Sequence, residues 1–231
     1  DQPERATSHD PQSKFWSWAD RMGIDVGRFP EREKMPTPDR SHPAMAVNLD
    51  ACIQCNLCVR ACREVQVNDV IGMAGRGHGE KIVFDFDDPM GQSTCVACGE
   101  CVQACPTGAL MPATLVNDKN VRTEFPDREV HSVCPYCGVG CQLTYKIKND
   151  KLLYVTGRDG PANENRLCVK GRFGFDYVHN PQRLTKPMIR KEGVPKVPHE
   201  FIDPMNPWTH FREATWEEAL DKAAAGLKKI R

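Results

Sequence analysis

Twelve cysteines carry most of the chemistry that this 231-residue chain could perform. Four lie between residues 52 and 62, four between 95 and 105, three between 134 and 141, and Cys168 stands alone. Disulfide scaffolds of secreted proteins space their cysteines across distant loops, whereas repeated gaps of two residues suit a compact metal group. The clustering therefore predicts metal ligands rather than a disulfide framework.

The first two cysteine groups form an internal repeat. The stretches "CIQCNLCVRAC" and "CVACGECVQAC" both follow the pattern C-x2-C-x2-C-x3-C, and Pro106 follows the second. This pattern is typical of bacterial two-cluster ferredoxins, in which three cysteines of a run bind one [4Fe-4S] cluster and the fourth binds the other. The predicted first cluster has Cys52, Cys55, Cys58 and Cys105, and the predicted second cluster has Cys62, Cys95, Cys98 and Cys101.

Two zinc sites are the alternative for this repeat. Zinc ribbons usually use two C-x2-C pairs separated by a longer loop, so tandem runs of four cysteines with a C-P ending favour iron–sulfur clusters. Arg63 replaces the proline expected after Cys62, at a position that does not bind iron.

The third cysteine group is less decisive. Cys134, Cys137, Cys141 and distant Cys168 give C-x2-C-x3-C-x26-C, which suits a zinc ribbon about as well as a cluster. Two clusters immediately upstream favour a third [4Fe-4S] cluster, because low-potential carriers need a further redox centre to serve. His131 is conceivable as the fourth ligand, but Cys168 fills that role better, and we expect His131 at the surface.

Three cations flank Cys168, namely Arg166, Lys170 and Arg172. A positive charge at this place would ease the addition of an electron to a thiolate-bound cluster. For Arg166 and Arg172 we nevertheless favour the plainer interpretation, a solvated basic face.

Hydrophobic periodicity predicts short elements around the first two cysteine groups. Phe15, Trp18 and Met22 recur at helical spacing in "SKFWSWADRMGI" and predict a helix with that packing face, followed by a Pro-rich extended connector. Two short strands are predicted around the glycine-rich turn between the cysteine runs. Their apolar residues are Val67, Val70, Ile71, Ile82, Val83, Phe84 and Phe86.

A hairpin and a terminal helix are predicted after the third cysteine group begins. The stretch "QLTYKIKNDKLLYVTGR" alternates apolar and polar residues around Asn149 and Asp150, which is typical of a β-hairpin. Thr215 and Glu218 form a capping-box pattern at the start of a helix that still runs at Arg231, so we expect more protein to follow. The apolar stripe of this helix is Trp216, Leu220, Ala223, Leu227 and Ile230.

Composition excludes two classes of partner. The chain has 31 basic and 31 acidic side chains, so it lacks the basic bias that duplex nucleic-acid binding requires. No run of apolar residues is long enough to predict a membrane span. The polar start, "DQPERATSHDPQ", has no apolar signal core.

Four stretches carry a resemblance to a known family. "CPYCGVGC" with "LCVKGRFG", followed by "RLTKPMIR" and "ATWEEAL", resembles the N-terminal cluster domain of molybdenum or tungsten bis-pterin oxidoreductases, formate dehydrogenases above all. With the two-cluster segment ahead of it, the order resembles the catalytic alpha subunit of soluble NAD-dependent formate dehydrogenases. The resemblance implies an α+β fold. The implied parts are a helix and extended linker (1–47), a two-cluster ferredoxin domain (48–115), a linker (116–130), the small β-rich [4Fe-4S] domain (131–185) and the start of the catalytic domain (186–231).

The resemblance also implies an activity, cofactors and partners. In the family, the cluster of Cys134, Cys137, Cys141 and Cys168 lies nearest the metal, and Lys170 lies between that cluster and a pterin. Formate is oxidised to carbon dioxide, and electrons pass through the clusters to a flavin subunit that reduces NAD. The implied cofactors are three [4Fe-4S] clusters and, in the full-length protein, molybdenum or tungsten with bis-pterin guanine dinucleotide. Flavin/NAD-binding and [2Fe-2S] subunits are the implied partners, and the cytoplasm is the implied location.

This chain departs from the complete family pattern. No cysteine follows Cys168, so the metal-ligating cysteine or selenocysteine of the family is absent, and we expect an electron-relay segment without catalytic residues. One alternative is a subunit of another bis-pterin or NADH-linked enzyme, although residues 1–47 lack the cysteines of the histidine-ligated cluster usual there. Another alternative is a stand-alone polyferredoxin-like electron carrier. The predicted helix that still runs at Arg231 argues against this alternative.

Overall fold

The computed structural model describes residue 5, residues 8–28, residue 30 and residues 36–230, in two units that divide at residue 176. The described helices are α1 (Lys14–Met22), α2 (Leu57–Arg60), α3 (Glu100–Ala104), α4 (Val169–Phe173) and α5 (Trp216–Ile230). The described strands are β1 (Met45–Val47), β2 (Ile71–Ala74), β3 (Lys81–Phe84), β4 (Leu110–Pro112), β5 (Arg128–Val133), β6 (Gln142–Lys148), β7 (Lys151–Gly157), β8 (Met188–Arg190) and β9 (Phe211–Glu213). None of these helices combines the length and the apolar character that crossing a membrane requires. The mixture of helices and sheets agrees with the predicted α+β class.

The β1–β4 pair closes the part of the chain that contains the first two cysteine runs. The two strands are antiparallel, so the residues before the first run lie beside the residues after the second. Met45 on β1 and Leu110 on β4 are 0% and 1% exposed, and they share an apolar cluster with Cys58 and Cys101. This core therefore holds together the chain before α2 and the chain after α3, the two helices that contain Cys58 and Cys101.

The glycine-rich segment between the runs folds as the predicted hairpin. Strand β2 pairs with β3 in antiparallel register, and Gly75, at a φ of +78°, begins the turn. A Cβ at Gly75 would stand 2.6 Å from the carbonyl oxygen of Gly79, so the turn needs glycine there. The strands are shorter than the apolar pattern, because Val67 and Phe86 lie outside them and are exposed.

A three-stranded antiparallel sheet, β5–β6–β7, supports the third cysteine group. The predicted hairpin is confirmed, with Asn149 and Asp150 at its tip at φ values of 48° and 62°, as a two-residue turn of this hand requires. One face is buried by Leu143 and Val155. Strand β5 begins at Arg128, inside the stretch interpreted as a linker from the sequence.

Helix α1 is present, but its predicted packing face is wrong. Trp16 and Ala19 are buried, whereas Trp18 and Met22 are exposed. The indole Nε1 of Trp16 donates a hydrogen bond to Ser8 Oγ at 3.0 Å, since the chain before the helix folds back over this side. That tertiary contact selects the buried face of the helix.

The second unit contains the β8–β9 pair and α5. Thr215 Oγ accepts a hydrogen bond from the Glu218 amide at 3.2 Å, which confirms the predicted cap. The predicted apolar stripe is exposed along its length, as the side chains of Trp216 and Leu227 show.

Truncation of Leu110 to alanine tests the role of the β1–β4 core. The loss of a fully buried side chain should lower the free energy of unfolding by about 2–5 kcal/mol, because the surrounding core closes only partly over the cavity. Thermal unfolding of the cluster-loaded protein measures this effect. Val67→Ala is the control, since Val67 is 79% exposed and its truncation should cause no loss. Equal melting temperatures for Leu110→Ala and the parent protein would contradict the assigned core.

Candidate metal centres

Each ferredoxin-type run turns around two residues in the left-handed backbone region. They are Gln54 and Asn56 in the first run, at φ values of 55° and 64°, and Ala97 and Gly99 in the second, at 55° and 73°. Non-glycine residues adopt positive φ rarely, so the sequence repeat is also a repeat of an unusual backbone. The two turns lead into α2 and α3, which contain the third cysteine of each run, Cys58 and Cys101. The fourth cysteine follows each helix, as Cys62 after α2 and Cys105 after α3.

The same turns direct backbone amides at sulfur. The Gln54 amide lies 3.4 Å from Cys52 Sγ, and the Ala97 amide lies 3.4 Å from Cys95 Sγ. An amide that donates to sulfur stabilises the thiolate, and such bonds tune the potential of iron–sulfur clusters. Both runs therefore direct a backbone amide at the sulfur of their first cysteine.

Two small, largely apolar cavities lie beside the turns. Their volumes are about 20 Å³ and 10 Å³. The first is lined by Cys52, Cys55, Cys58 and Cys105, with Ile53, Ile82 and Leu110 among its walls. The second is lined by Cys62, Cys95, Cys98 and Cys101, with Val70, Ile71 and Val96. Each cavity thus carries one of the two ligand sets predicted from the sequence, including the crossed fourth cysteine, while ligation itself stays a prediction.

The third set also converges. Cys141 interacts electrostatically with the thiols of Cys134, Cys137 and Cys168, although Cys168 is distant in sequence. The Cys134 amide donates a hydrogen bond of 2.8 Å to the Cys141 carbonyl, which closes the loop between β5 and β6. Helix α4 lies against this loop, since a Cβ at Gly171 would be in van der Waals contact with Cys134 Sγ at 3.4 Å.

Burial makes free thiolates unfavourable in the two cavities. It raises the pKa of Cys58 to about 12, with the nearby thiols of Cys105, Cys52 and Cys55 adding to the effect. Burial likewise raises the pKa of Cys101 well above its ordinary value. Thiolates are nevertheless the form that binds metal, so a cation must compensate for their burial.

The donor sets fit [4Fe-4S] clusters. Each cavity offers four thiols among apolar walls, and four cysteine thiolates are the ligands of a [4Fe-4S] cluster. In the part of the chain that the structure describes, no three His, Cys, Asp or Glu side chains are grouped so that they could hold a single metal ion.

Asn163 is a positioning residue that sequence reasoning missed. Its buried side-chain amide donates to the carbonyls of Gln142, Arg158 and Arg166, and its Oδ1 accepts from the Gln142 amide at 2.9 Å. Because Gln142 follows Cys141, these bonds tie the loop that leads to Cys168 onto the start of β6. A lone asparagine in a polar loop gives no sequence signal for this role.

Arg172 contradicts the predicted solvated basic face. Its side chain is 2% exposed and forms an ion pair with Glu100, whose side chain is also buried. Burial lowers the pKa of Arg172 from its ordinary value and the Glu100 carboxylate opposes that shift, so the guanidinium stays charged. Glu100 and Gln103, which also binds Arg172, were not singled out from the sequence.

The other predicted polar residues lie at the surface. Arg166 is exposed and pairs with Glu164, as a solvated cation should. Lys170 is exposed on α4, two residues after Cys168. His131 is exposed on β5, where its Nδ1 contacts Thr144 Oγ1 at 3.0 Å, which agrees with the surface histidine expected from the sequence.

Comparison with protein-family models gives two matches. Residues 51–109 match the 4Fe-4S dicluster domain. Residues 127–180 match the molybdopterin oxidoreductase Fe4S4 domain. The first match contains both ferredoxin-type runs, and the second contains the complete third set.

Curated relatives resemble nearly the whole chain. "Probable oxidoreductase YjgC" of Bacillus subtilis (strain 168) is 33% identical over 91% of this chain and 23% of its own length. "Putative formate dehydrogenase SH0748" of Staphylococcus haemolyticus (strain JCSC1435) is 29% identical over 92% of this chain and 24% of its own length. The chain therefore spans about a quarter of the length of these relatives.

One solved structure is a weaker match. An NAD+-reducing [NiFe]-hydrogenase in the H2-reduced state is 24% identical, with a TM-score of 0.40 over 45% of this chain and 47% of its own. A likeness at this level carries no argument. All three convergent cysteine sets lie within matched residues, the first two in the 4Fe-4S dicluster domain and the third in the molybdopterin oxidoreductase Fe4S4 domain.

Proposed function

We propose that this chain is the electron-relay portion of the catalytic subunit of a molybdenum or tungsten formate dehydrogenase, with three [4Fe-4S] clusters. The observation that carries the proposal is the convergence of twelve cysteines into three sets of four within one unit of the fold. The clusters would supply one-electron carriers, and the protein would set their spacing and surroundings.

Each set has a proposed role as ligands. Cys52, Cys55, Cys58 and Cys105 would hold the first cluster, Cys62, Cys95, Cys98 and Cys101 the second, and Cys134, Cys137, Cys141 and Cys168 the third. The cavity walls favour this assignment for the first two sets, because each cavity is lined by one complete set together with apolar side chains. The domain matched over residues 127–180 favours it for the third.

Formate as the substrate of the complete protein rests on relatives and resemblance together. A relative named as a formate dehydrogenase matches over 92% of this chain. Lys170 is exposed beside the third set, where its ammonium is accessible to a pterin of the complete enzyme, the role implied by the family. The metal and the bis-pterin guanine dinucleotide would be bound by sequence beyond the residues present here.

The electron acceptor is a further part of the proposal. Flavin/NAD-binding and [2Fe-2S] subunits would receive electrons from the relay, as the family resemblance implies. Cytoplasmic location is proposed because thiolate ligands must stay reduced.

The full-length protein tests the formate proposal directly. It should be produced anaerobically with molybdate or tungstate and assayed for formate-dependent reduction of a viologen dye, and then of NAD with its partner subunits. Dye reduction that depends on formate supports the proposed substrate. Protein loaded with clusters and metal that reduces no dye with formate would overturn it, and dye reduction without NAD reduction would remove only the proposed acceptor.

Iron content tests the number of clusters. Anaerobically reconstituted protein should hold about 12 irons and about 12 acid-labile sulfides per chain, four of each in every cluster. Metal analysis and sulfide determination on the same sample measure this ratio. About eight irons with one zinc per chain would overturn the assignment of the third set.

Cys105→Ala tests the crossed ligation. Because Cys105 lines the cavity of Cys52, Cys55 and Cys58, its loss should damage the first cluster and spare the second. Electron paramagnetic resonance of the reduced protein resolves the two signals, and Cys62→Ala is the matched variant that should damage the second cluster instead. Loss of the second signal alone from Cys105→Ala would show that each run binds its own cluster.

A further inference from the structure

A buried guanidinium joins the second and third cysteine sets. Arg172, on α4 after Cys168, donates from Nε to the carbonyl of Cys98 at 2.8 Å. Its Nη1 donates to Gln103 Oε1 at 2.6 Å, and its Nη2 pairs with the Glu100 carboxylate. The segment from β5 to α4, which contains the third cysteine set, is called the third-set domain below. One of its side chains therefore binds the backbone of Cys98, a proposed ligand of the second cluster, and two side chains of helix α3.

Two partners of Arg172, Glu100 and Gln103, also accept hydrogen bonds from the backbone of the third-set domain. Glu100 Oε1 accepts a hydrogen bond of 3.0 Å from the amide of Leu167, the residue before Cys168. Gln103 Oε1 accepts one of 2.8 Å from Gly157, at the end of β7. The Glu100 carboxylate and the Gln103 side-chain amide thus bind two further backbone positions of the third-set domain, Leu167 and Gly157.

Glycine in the second run makes room for this approach. Gly99 lies between Cys98 and Glu100, and a Cβ there would stand 2.2 Å from Arg172 Cδ. Its counterpart in the first run is Asn56, where the same left-handed turn carries a side chain. The second run alone is therefore shaped to receive the arginine.

Burial of the Arg172–Glu100 pair strengthens the electrostatic effect of its charges on nearby groups. Arg172 and Glu100 are 2% and 8% exposed at their side chains, so solvent and salt screen them weakly. Arg63 and Asp69 form the natural contrast, because Arg63 follows Cys62 of the same set but this pair is more than half exposed. Charge beside a cluster changes its reduction potential, since reduction adds a negative charge.

We propose that Arg172 and Glu100 are positioning residues that dock the second cluster against the third and set the potential of the second cluster. This inference rests on the proposed cluster ligands. The positive charge of Arg172 favours reduction of the second cluster, and the negative charge of Glu100 disfavours it. The planar guanidinium of Arg172 holds the Cys98 loop in register with the segment before Cys168. The first cluster, whose run carries the apolar Leu57 at the place of Glu100, lies outside this control.

The test is a redox titration of the cluster-loaded full-length protein, followed by electron paramagnetic resonance. Arg172→Gln should lower the midpoint potential of the second cluster, and Glu100→Gln, which keeps the side-chain shape, should raise it. The double variant should fall between the two single variants. Arg172→Lys should restore a potential near that of the parent protein, because it keeps the charge, while it melts at a lower temperature, because it loses the fork.

Exposed variants supply the control. Arg63→Gln and Asp69→Asn change the same charges beside the same cluster, but solvent screening should leave much smaller shifts. The first cluster should keep its potential in every variant. Shifts of one sign in both Arg172→Gln and Glu100→Gln, or none in either, would overturn the inference.

Iron analysis separates failure of this inference from failure of the proposed function. About 12 irons per chain with unmoved potentials would refute the role of the pair and leave the relay intact. Parent protein that holds no second cluster would refute the ligand assignment instead. Should Arg172→Gln lose its clusters, Glu100→Gln still tests the charge effect: a raised potential of the second cluster supports the inference, and an unmoved or lowered potential overturns it.

Discussion

The burial of thiols in apolar cavities is the constraint on which the first unit depends. Thiolates are the metal-binding form, yet the surroundings of Cys58 raise its pKa to about 12 and favour the neutral thiol. The strands that contribute to the cavity walls, β2, β3 and β4, are only three or four residues long. Cluster binding and folding should therefore be strongly coupled, because metal binding supplies the compensation that the polypeptide lacks.

Much of this arrangement could be predicted from the sequence because its determinants are local. Cysteine spacing specifies turns of a particular backbone, and the asparagine–aspartate pair at 149 and 150 specifies the hairpin tip. The packing face of α1 could not be predicted in the same way. Trp16 and Trp18 are equivalent in type and close in sequence, and tertiary contacts such as that of Trp16 with Ser8 decide which of them is buried.

The docking of the third-set domain depends on contacts between residues far apart in the chain. The guanidinium of Arg172 and the carboxylate of Glu100 meet across 72 positions, so neither periodicity nor motif spacing connects them. One sequence signal did exist within the repeat. Glu100 occupies the place that the apolar Leu57 has in the first run, so the repeat itself contains the difference between the two turns.

A buried ion pair is weak support for stability, since desolvation of two charges offsets much of their attraction. Its proposed role is specificity. Another docking register would separate Arg172 from Glu100, and breaking a buried ion pair costs several kcal/mol, roughly 3–5. In the observed register Arg172 binds the Cys98 carbonyl, Gln103 and Glu100 together. On this proposal the pair favours one arrangement of the second and third cysteine sets, and a fixed separation between neighbouring carriers is what an electron relay requires.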